Sequence, residues 1–333
     1  MKKIIGFLLL AKMICLTETG YAATLAGCEI LPENNIWNTK VDTMPVAANS
    51  DQMIANIGAN VGLHPDFGSG TWDGAKIGIP ITVVNSAQAP ASVVFEYDDE
   101  SDPGPYPIPP DAAVEGAPND GDRHVLILNQ DDCKLYEIFY AWIQPDESWT
   151  AGSGAVFDLS SNGLRPDGWT SADAAGLPIL PGLIRYEEAA SGTIDHAVRF
   201  TVAESRDQYV WPARHKASDS SGSQYPPMGQ RFRLKANVDI SGYSPIIQTI
   251  LQAMKTYGII MADNGSDWYI SGEPNENWDN DVLNDELGNI TGSDFEAVDV
   301  SSLMVDSDSG QVAAQESGLA PALTWLFLLL DKN

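Results

Sequence analysis

The sequence predicts a mostly β or α+β fold: a β-sandwich or barrel-like domain with one helix in its C-terminal half. Three observations carry this. The 333-residue chain holds 29 glycines and 21 prolines, a turn density that favours many short elements over a helical bundle. Hydrophobic residues make up 44% of it, with 9 Trp, 11 Tyr and 9 Phe, which is ample for a packed core. Its clearest local pattern is a hairpin, Arg123–Leu128 and Cys133–Ile143 around the polar turn Asn129–Asp132. The first of these strands runs through an unbroken apolar stretch, which predicts burial on both faces.

The N-terminus reads as a secretory signal over 1–22. Lys2-Lys3 precedes an apolar run from Ile4 to Leu16, and Gly20 and Ala22 permit cleavage after Ala22. Leu25-Ala-Gly-Cys28 resembles a lipoprotein cleavage box, but it lies well past the end of that run. Ordinary export is the preferred reading. Cys15 would leave with the signal, so Cys28 and Cys133 remain, and a single disulfide is the natural expectation for an exported chain.

Further along, Ser50–Gly58 has the pattern of a short amphipathic helix, with Ser50 as N-cap and Gly58 as terminator. His64–Gly68 reads as a turn-rich loop. Ile79–Val84 and Val93–Tyr97 alternate as strands do. The proline-dense passage Asp98–Glu115 predicts an extended surface loop, since neither a helix nor a central strand tolerates such proline density. Ala155–Leu159, Leu183–Tyr186, Ala197–Val202, Tyr209–Pro212 and Arg231–Leu234 read as further short strands. One helix follows, with Ser244 as cap, Pro245 in its first turn and Gly258 as its stop. Ile259–Ala262, the turn Asp263-Asn-Gly265 and the returning Trp268–Ser271 complete the domain over 23–300. A polar linker is expected over 301–317 and an apolar tail over 318–333. The run Leu319–Leu330 is short for a bilayer span and is followed by charge, so it reads equally as a cell-surface sorting tail or a frayed amphipathic end.

The formal charge of −28 is extreme, and without residues 1–22 the chain keeps 15 cations against 45 anions. Such a surface repels nucleic acid and anionic lipid. Solubility in a salty medium explains most acidic surfaces. No cofactor is called for, although a divalent cation such as calcium is one that these carboxylates could hold.

Candidate chemistry concentrates between Gly121 and His215. The four histidines are His64, His124, His196 and His215, each beside a carboxylate or arginine. A carboxylate-oriented imidazole can act as general base, and a strand-end histidine can equally be structural. Arg123, Arg165, Arg185, Arg199 and Arg214 stand out on an anionic chain, either as loop-holding ion pairs or as a pocket for an anionic group. Asp158, Asp173 and Asp263 lie in apolar or turn contexts and could supply the acid and base of glycoside hydrolysis. Trp149, Trp169, Trp211 and Trp268 could stack on sugar rings or simply anchor the core. No His-x-x-x-His pair, nucleophile elbow, dinucleotide or phosphate-binding loop occurs.

Several segments carry a resemblance: Asn34–Thr39, Ser101–Pro109, Gly121-Asp-Arg-His124, Leu164–Pro178 and Ala262–Ile270. Together they resemble a family of exported bacterial proteins that has no assigned activity, over roughly Cys28 to Asp299. The resemblance implies one continuous domain, export and the Cys28–Cys133 pairing, and transfers no catalytic residue. The reading that follows is an exported protein acting on an extracellular polysaccharide as a hydrolase or lyase. In the lyase version Arg199 or Arg214 neutralises a uronate while His124, His196 or His215 takes the proton. In the hydrolase version Asp158, Asp173 or Asp263 supplies acid and base. Arg123, Arg199, Trp169, Trp211 and Trp268 are the expected substrate contacts. The rival reading is a non-catalytic cell-surface or carbohydrate-binding protein.

Overall fold

Residues 23–313 are described in a computed structural model. The expected leader and apolar tail lie outside them. The chain is strand-rich and carries four helices among the described residues, so the mixed β-dominated class is what it forms.

The largest sheet has six strands, in the order Phe295–Val298, Arg231–Leu234, Ile259–Asn264, Val198–Val202, Tyr269–Ser271 and His64–Asp66. Val198–Val202 runs parallel to Ile259–Asn264, and Tyr269–Ser271 runs parallel to His64–Asp66. A second sheet orders Ser153–Asp158, Lys134–Phe139, Val125–Asn129 and Ile81–Val84. A third joins Trp142–Ile143, Trp149–Ala151 and Val93–Phe95.

The predicted hairpin is the hinge of this arrangement. All five residues of Val125–Asn129 are buried. Because successive side chains alternate, Leu126 and Leu128 join the main core while Val125 and Ile127 join a smaller one. The proline-dense loop lays Tyr106 and Ile108 into that smaller core. The Cys28–Cys133 disulfide forms, with its Cα atoms 5.5 Å apart, and ties the N-terminal ribbon to the start of the returning strand.

Some expectations are corrected. The first helix spans Ser50–Ile57, and its N-cap is Asn49; the Ser50 hydroxyl instead accepts from Ala297 N–H at 2.9 Å. Leu183–Tyr186 is not a strand. It makes a single parallel bridge, Ile184 to Gly272, between a 3₁₀ turn, Leu180–Gly182, and the helix Tyr186–Ser191, and its apolar character reflects burial at that junction, which periodicity cannot tell from a strand. Tyr209–Pro212 makes one bridge, Tyr209 to Met228, since Pro212 brings no N–H to extend a ladder. His64–Asp66 is an edge strand, a place where Pro65 is tolerated. The helix Asn280–Leu287, capped by Asp279 through Asp281 and Val282 N–H, was not foreseen.

Residues 301–313 are not a linker. Ile36 donates to Gly310 O and Val312 to Asn34 O, with Leu303 and Val312 buried. Their polarity serves local turns, as where Asp306 accepts from Asp308 N–H at 2.9 Å. Among the described residues no helix is long and apolar enough to cross a membrane.

Candidate functional site

A register shift builds the polar face of the six-stranded sheet. Val198–Val202 pairs with Ile259–Asn264 residue for residue until a bulge between Phe200 and Thr201, after which Thr201 faces Asp263. A one-residue shift moves the following side chains to the opposite face. Asp263 therefore joins Arg199, while Phe200 and Met261 stay in the core. Arg199 Nε donates to Asp173 Oδ2 at 2.7 Å, Nη2 to Asp173 Oδ1 at 2.5 Å and Nη1 to Ser271 Oγ at 2.6 Å. Asp263 Oδ2 lies 3.7 Å from Nη2. Burial works against the charged guanidinium, but Asp173 and Asp263 outweigh it and hold Arg199 ionised. Burial first, then the Asp173 charge, pushes the Asp263 carboxyl well above the ordinary carboxylate range, against the pull of Arg199.

The loop carrying Asp173 is gripped on both flanks. His124 Nε2 lies 3.1 Å from Ala172 O, and His215 Nδ1 lies 2.9 Å from Ala174 O. His124 Nδ1 meets Glu115 Oε2 at 2.5 Å, and its backbone N–H donates to the same oxygen at 3.3 Å. Burial disfavours the imidazolium, yet Glu115 more than offsets it and His124 is raised to about 9. Burial likewise opposes Glu115's charge, but His124, with Arg199 behind it, brings the net below the ordinary value. Among the described residues Glu115 Oε1 accepts no hydrogen bond, and the side chain keeps 19% of its surface exposed. Nearby, Glu137 is fully buried and accepts from Ile179 and Leu180 N–H at 2.9 Å each. Burial raises it to about 7, the two N–H donors only partly opposing.

Glu115 lines a cleft of about 860 Å³, within the range of small-molecule sites. The edge strand contributes His64 and Asp66, and its neighbour contributes Tyr269. His64 and Tyr269 are register partners, and their rings stack with centroids 4.1 Å apart. A tight hairpin, Thr71–Trp72 with Ala75–Lys76, also lines the cleft, with both residues of its first strand exposed. Its turn residues Asp73 and Gly74 both have positive φ, 50° and 83°, the geometry for which Asp-Gly is favoured. Trp72 is 80% exposed there. Asn119 Nδ2 donates to Asp73 O at 2.7 Å, pinning the hairpin to the loop that bears Glu115. Five carboxylates and one lysine line the cleft. Among the described residues the Asp66 carboxylate accepts no hydrogen bond; it is the exposed end of its strand, and the crowding of surrounding protein, then the Glu115 charge, raise its pKa against His64 and Arg199.

Of the residues expected from sequence, His124, Asp173, Arg199 and Asp263 form one network. His215 joins it only through the Ala174 carbonyl of the Asp173 loop, and the others lie apart from it or serve local structure. His196 is buried between Ala197 O and Glu188, beside Arg185. Arg214 is held by Ser307 O at 2.6 Å and Asp308 at 2.7 Å. Arg123 bonds Ala141 O and Asn119 O under the Trp142 ring. Exposed Asp158 accepts from Ser160 at a turn. Trp211 donates to Ser309 O, and Trp169 sits 5.5 Å from the Arg165 guanidinium. Trp268 cannot be a sugar platform: it is fully buried, stacked on Phe200 and Phe295. His64 alone of the four histidines lines the cleft.

Glu115, Asp66, Tyr269 and Trp72 were not singled out from sequence. Asp73-Gly74 was the one local signal available, since it marks the hairpin. Among the described residues no three His, Cys, Asp or Glu side chains are grouped to hold a metal ion. No protein-family model, curated protein or solved structure matches the chain. The class stands on geometry alone: an α+β domain with an acidic, aromatic-walled cleft over a buried ion-pair network.

Proposed function

We propose that this is an exported carbohydrate-active protein, a hydrolase of extracellular polysaccharide whose acid and base are Asp66 and Glu115. The observation that carries the reading is the asymmetry of these two carboxyls in one cleft. Glu115 is bonded to His124 through Oε2 and held below its ordinary value, while Asp66, exposed in the same cleft, is raised above its own by its surroundings and by Glu115. Environments that separate two neighbouring pKa values mark an acid and a base.

In the reaction Asp66 gives its proton to the glycosidic oxygen as the C1–O bond breaks. Glu115 Oε1 takes a proton from the water whose oxygen bonds to C1. The products are a reducing sugar and a free hydroxyl. Asp66 ends as the anion and Glu115 as the acid, and exchange with solvent resets both.

The lyase alternative receives less support. Its cations are engaged, Arg199 by Asp173 and Arg214 by Asp308; of its candidate bases, both nitrogens of His124 and of His196 face acceptors, and His215 lies outside the cleft lining.

The test is to incubate the protein with neutral and uronate polysaccharides and assay new reducing ends. Release from neutral glycan, abolished in Glu115→Gln and Asp66→Asn, is expected. Ultraviolet-absorbing unsaturated ends from uronate polymer would overturn the hydrolase reading, and tight binding without cleavage would make the protein a glycan-binding module.

A further inference from the structure

We infer that Trp72 and the His64–Tyr269 stack are two ring-stacking platforms of one cleft, selecting a chain of carboxylate-free sugar rings. This rests on the reading of the cleft as a glycan site and names what it takes.

A tryptophan that is 80% exposed at the end of a hairpin strand leaves a large apolar face in water, where folding gains nothing from it. The hairpin beneath it is nonetheless fixed, by its own two-residue pairing and by the Asn119 bond to Asp73. The ring is thus held in the cleft lining on a rigid support, which suits a contact that must be ready before the ligand arrives. On the sheet, Tyr269 is braced by His64, and both belong to paired strands. Two platforms on separate supports, one on the hairpin and one on the sheet, suit a ligand of several rings better than a single sugar.

The charge of the walls sets the class of ring. Asp66, Asp73 and Asp122 accept no hydrogen bond through their carboxylates among the described residues, and Lys76 is the single cationic side chain of the lining. A uronate would bring like charge into a concave site already crowded with it, whereas neutral hydroxyls can donate to these oxygens.

The experiment is titration of defined oligosaccharides of increasing length, in neutral and uronate series, followed by tryptophan fluorescence and calorimetry. Wild type, Trp72→Ala and Tyr269→Ala are compared, with reducing-end release measured on the same samples. Affinity for neutral chains should rise with length, and Trp72→Ala should weaken the longest by about tenfold, the effect of losing one stacked ring. Trp72→Phe should restore most of it. Equal affinity of Trp72→Ala and wild type at every length, with wild type still cleaving, overturns this inference and leaves the hydrolase reading standing. Length-dependent binding through Trp72 without cleavage does the reverse. Tighter binding of the uronate series overturns the selectivity, and binding of no oligosaccharide overturns both.

Discussion

His124 Nδ1 lies 2.5 Å from Glu115 Oε2, and its Nε2 lies 3.1 Å from Ala172 O. Both partners are acceptors, so the buried ring donates twice and is an imidazolium in the folded protein. One side chain thereby fixes two things: the charge of a carboxylate that opens to the cleft, and the loop that presents Asp173 to Arg199.

Stability should fall in alkaline solution because of this ring. Its folded pKa of about 9 exceeds the ordinary 6.5, so the stabilisation is complete below about pH 6.5 and is lost as pH rises through 9. The full loss is about 3 kcal/mol, and it already contains the Glu115 attraction. Guanidinium unfolding of wild type and His124→Asn from pH 6 to pH 10 checks it. The wild type's advantage should shrink steadily over that span; a constant difference would contradict the imidazolium.

Glu137 should give a second, earlier transition of the same sign. Burial lifts it from 4.5 to about 7, so its folded form favours the proton, and stability is lost as pH rises from about 4.5 through 7. Glu137→Gln supplies a neutral carbonyl to the Ile179 and Leu180 N–H groups and removes the titration. The mutant should gain about 3 kcal/mol on the wild type between pH 4.5 and pH 8, read from the same unfolding curves.

The two tryptophans at opposite extremes of burial should separate stability from binding. Trp268→Ala empties the space between Phe200 and Phe295 and should cost about 3–5 kcal/mol. Trp72→Ala removes an exposed ring and should leave the melting temperature unchanged, its effect within about 0.5 kcal/mol. Calorimetric melting of both variants is the measurement.

Removing the disulfide should be costly because the loop it closes is long. Cys28 and Cys133 are 105 residues apart, and the chain-entropy model gives about 4–5 kcal/mol for such a loop. The double serine variant should unfold at correspondingly lower guanidinium concentration, and reduced wild type should match it.

The strands legible in the sequence were those with local reasons to exist. Val125–Asn129 declares its two-sided burial by its apolar run, and the helix Pro245–Thr256 declares its start by Ser244-Pro245. His64–Asp66 gave no such sign, because an edge strand holding Pro65 is made by its partner Tyr269–Ser271 rather than by its own propensity. The site divided in the same way. Arg199, Asp173, Asp263 and His124 were legible as scarce or oddly placed charges. Glu115 and Asp66 were two acids among 46, and only contacts across long sequence distances, such as Glu115 with His124 and Asp66 with the Tyr269 strand, distinguish them. Leu183–Tyr186 shows the opposite error: its apolar residues report burial, and its pairing stops at the one bridge from Ile184 to Gly272.

The hydrolase reading carries a pH profile whose two limbs belong to different residues. Activity needs Glu115 ionised and Asp66 protonated. Glu115 sits below its ordinary value because of His124, and Asp66, though exposed, sits above its own through the crowding of surrounding protein and its acidic neighbours. The rate should therefore rise with pH through the Glu115 titration, at a point more acid than a free glutamate. It should then fall through that of Asp66, at a point more alkaline than a free aspartate, giving an acidic optimum. Replacing His124 with asparagine withdraws the positive charge and the side-chain hydrogen bond from Glu115, whose burial is then opposed only by the backbone N–H of residue 124 and by Arg199. The acid limb should move to higher pH while the alkaline limb, set by Asp66, stays in place. Measuring kcat/KM against pH for both proteins distinguishes this from simple damage: a damaged fold lowers the whole curve, whereas a positioning role for His124 moves one limb of it.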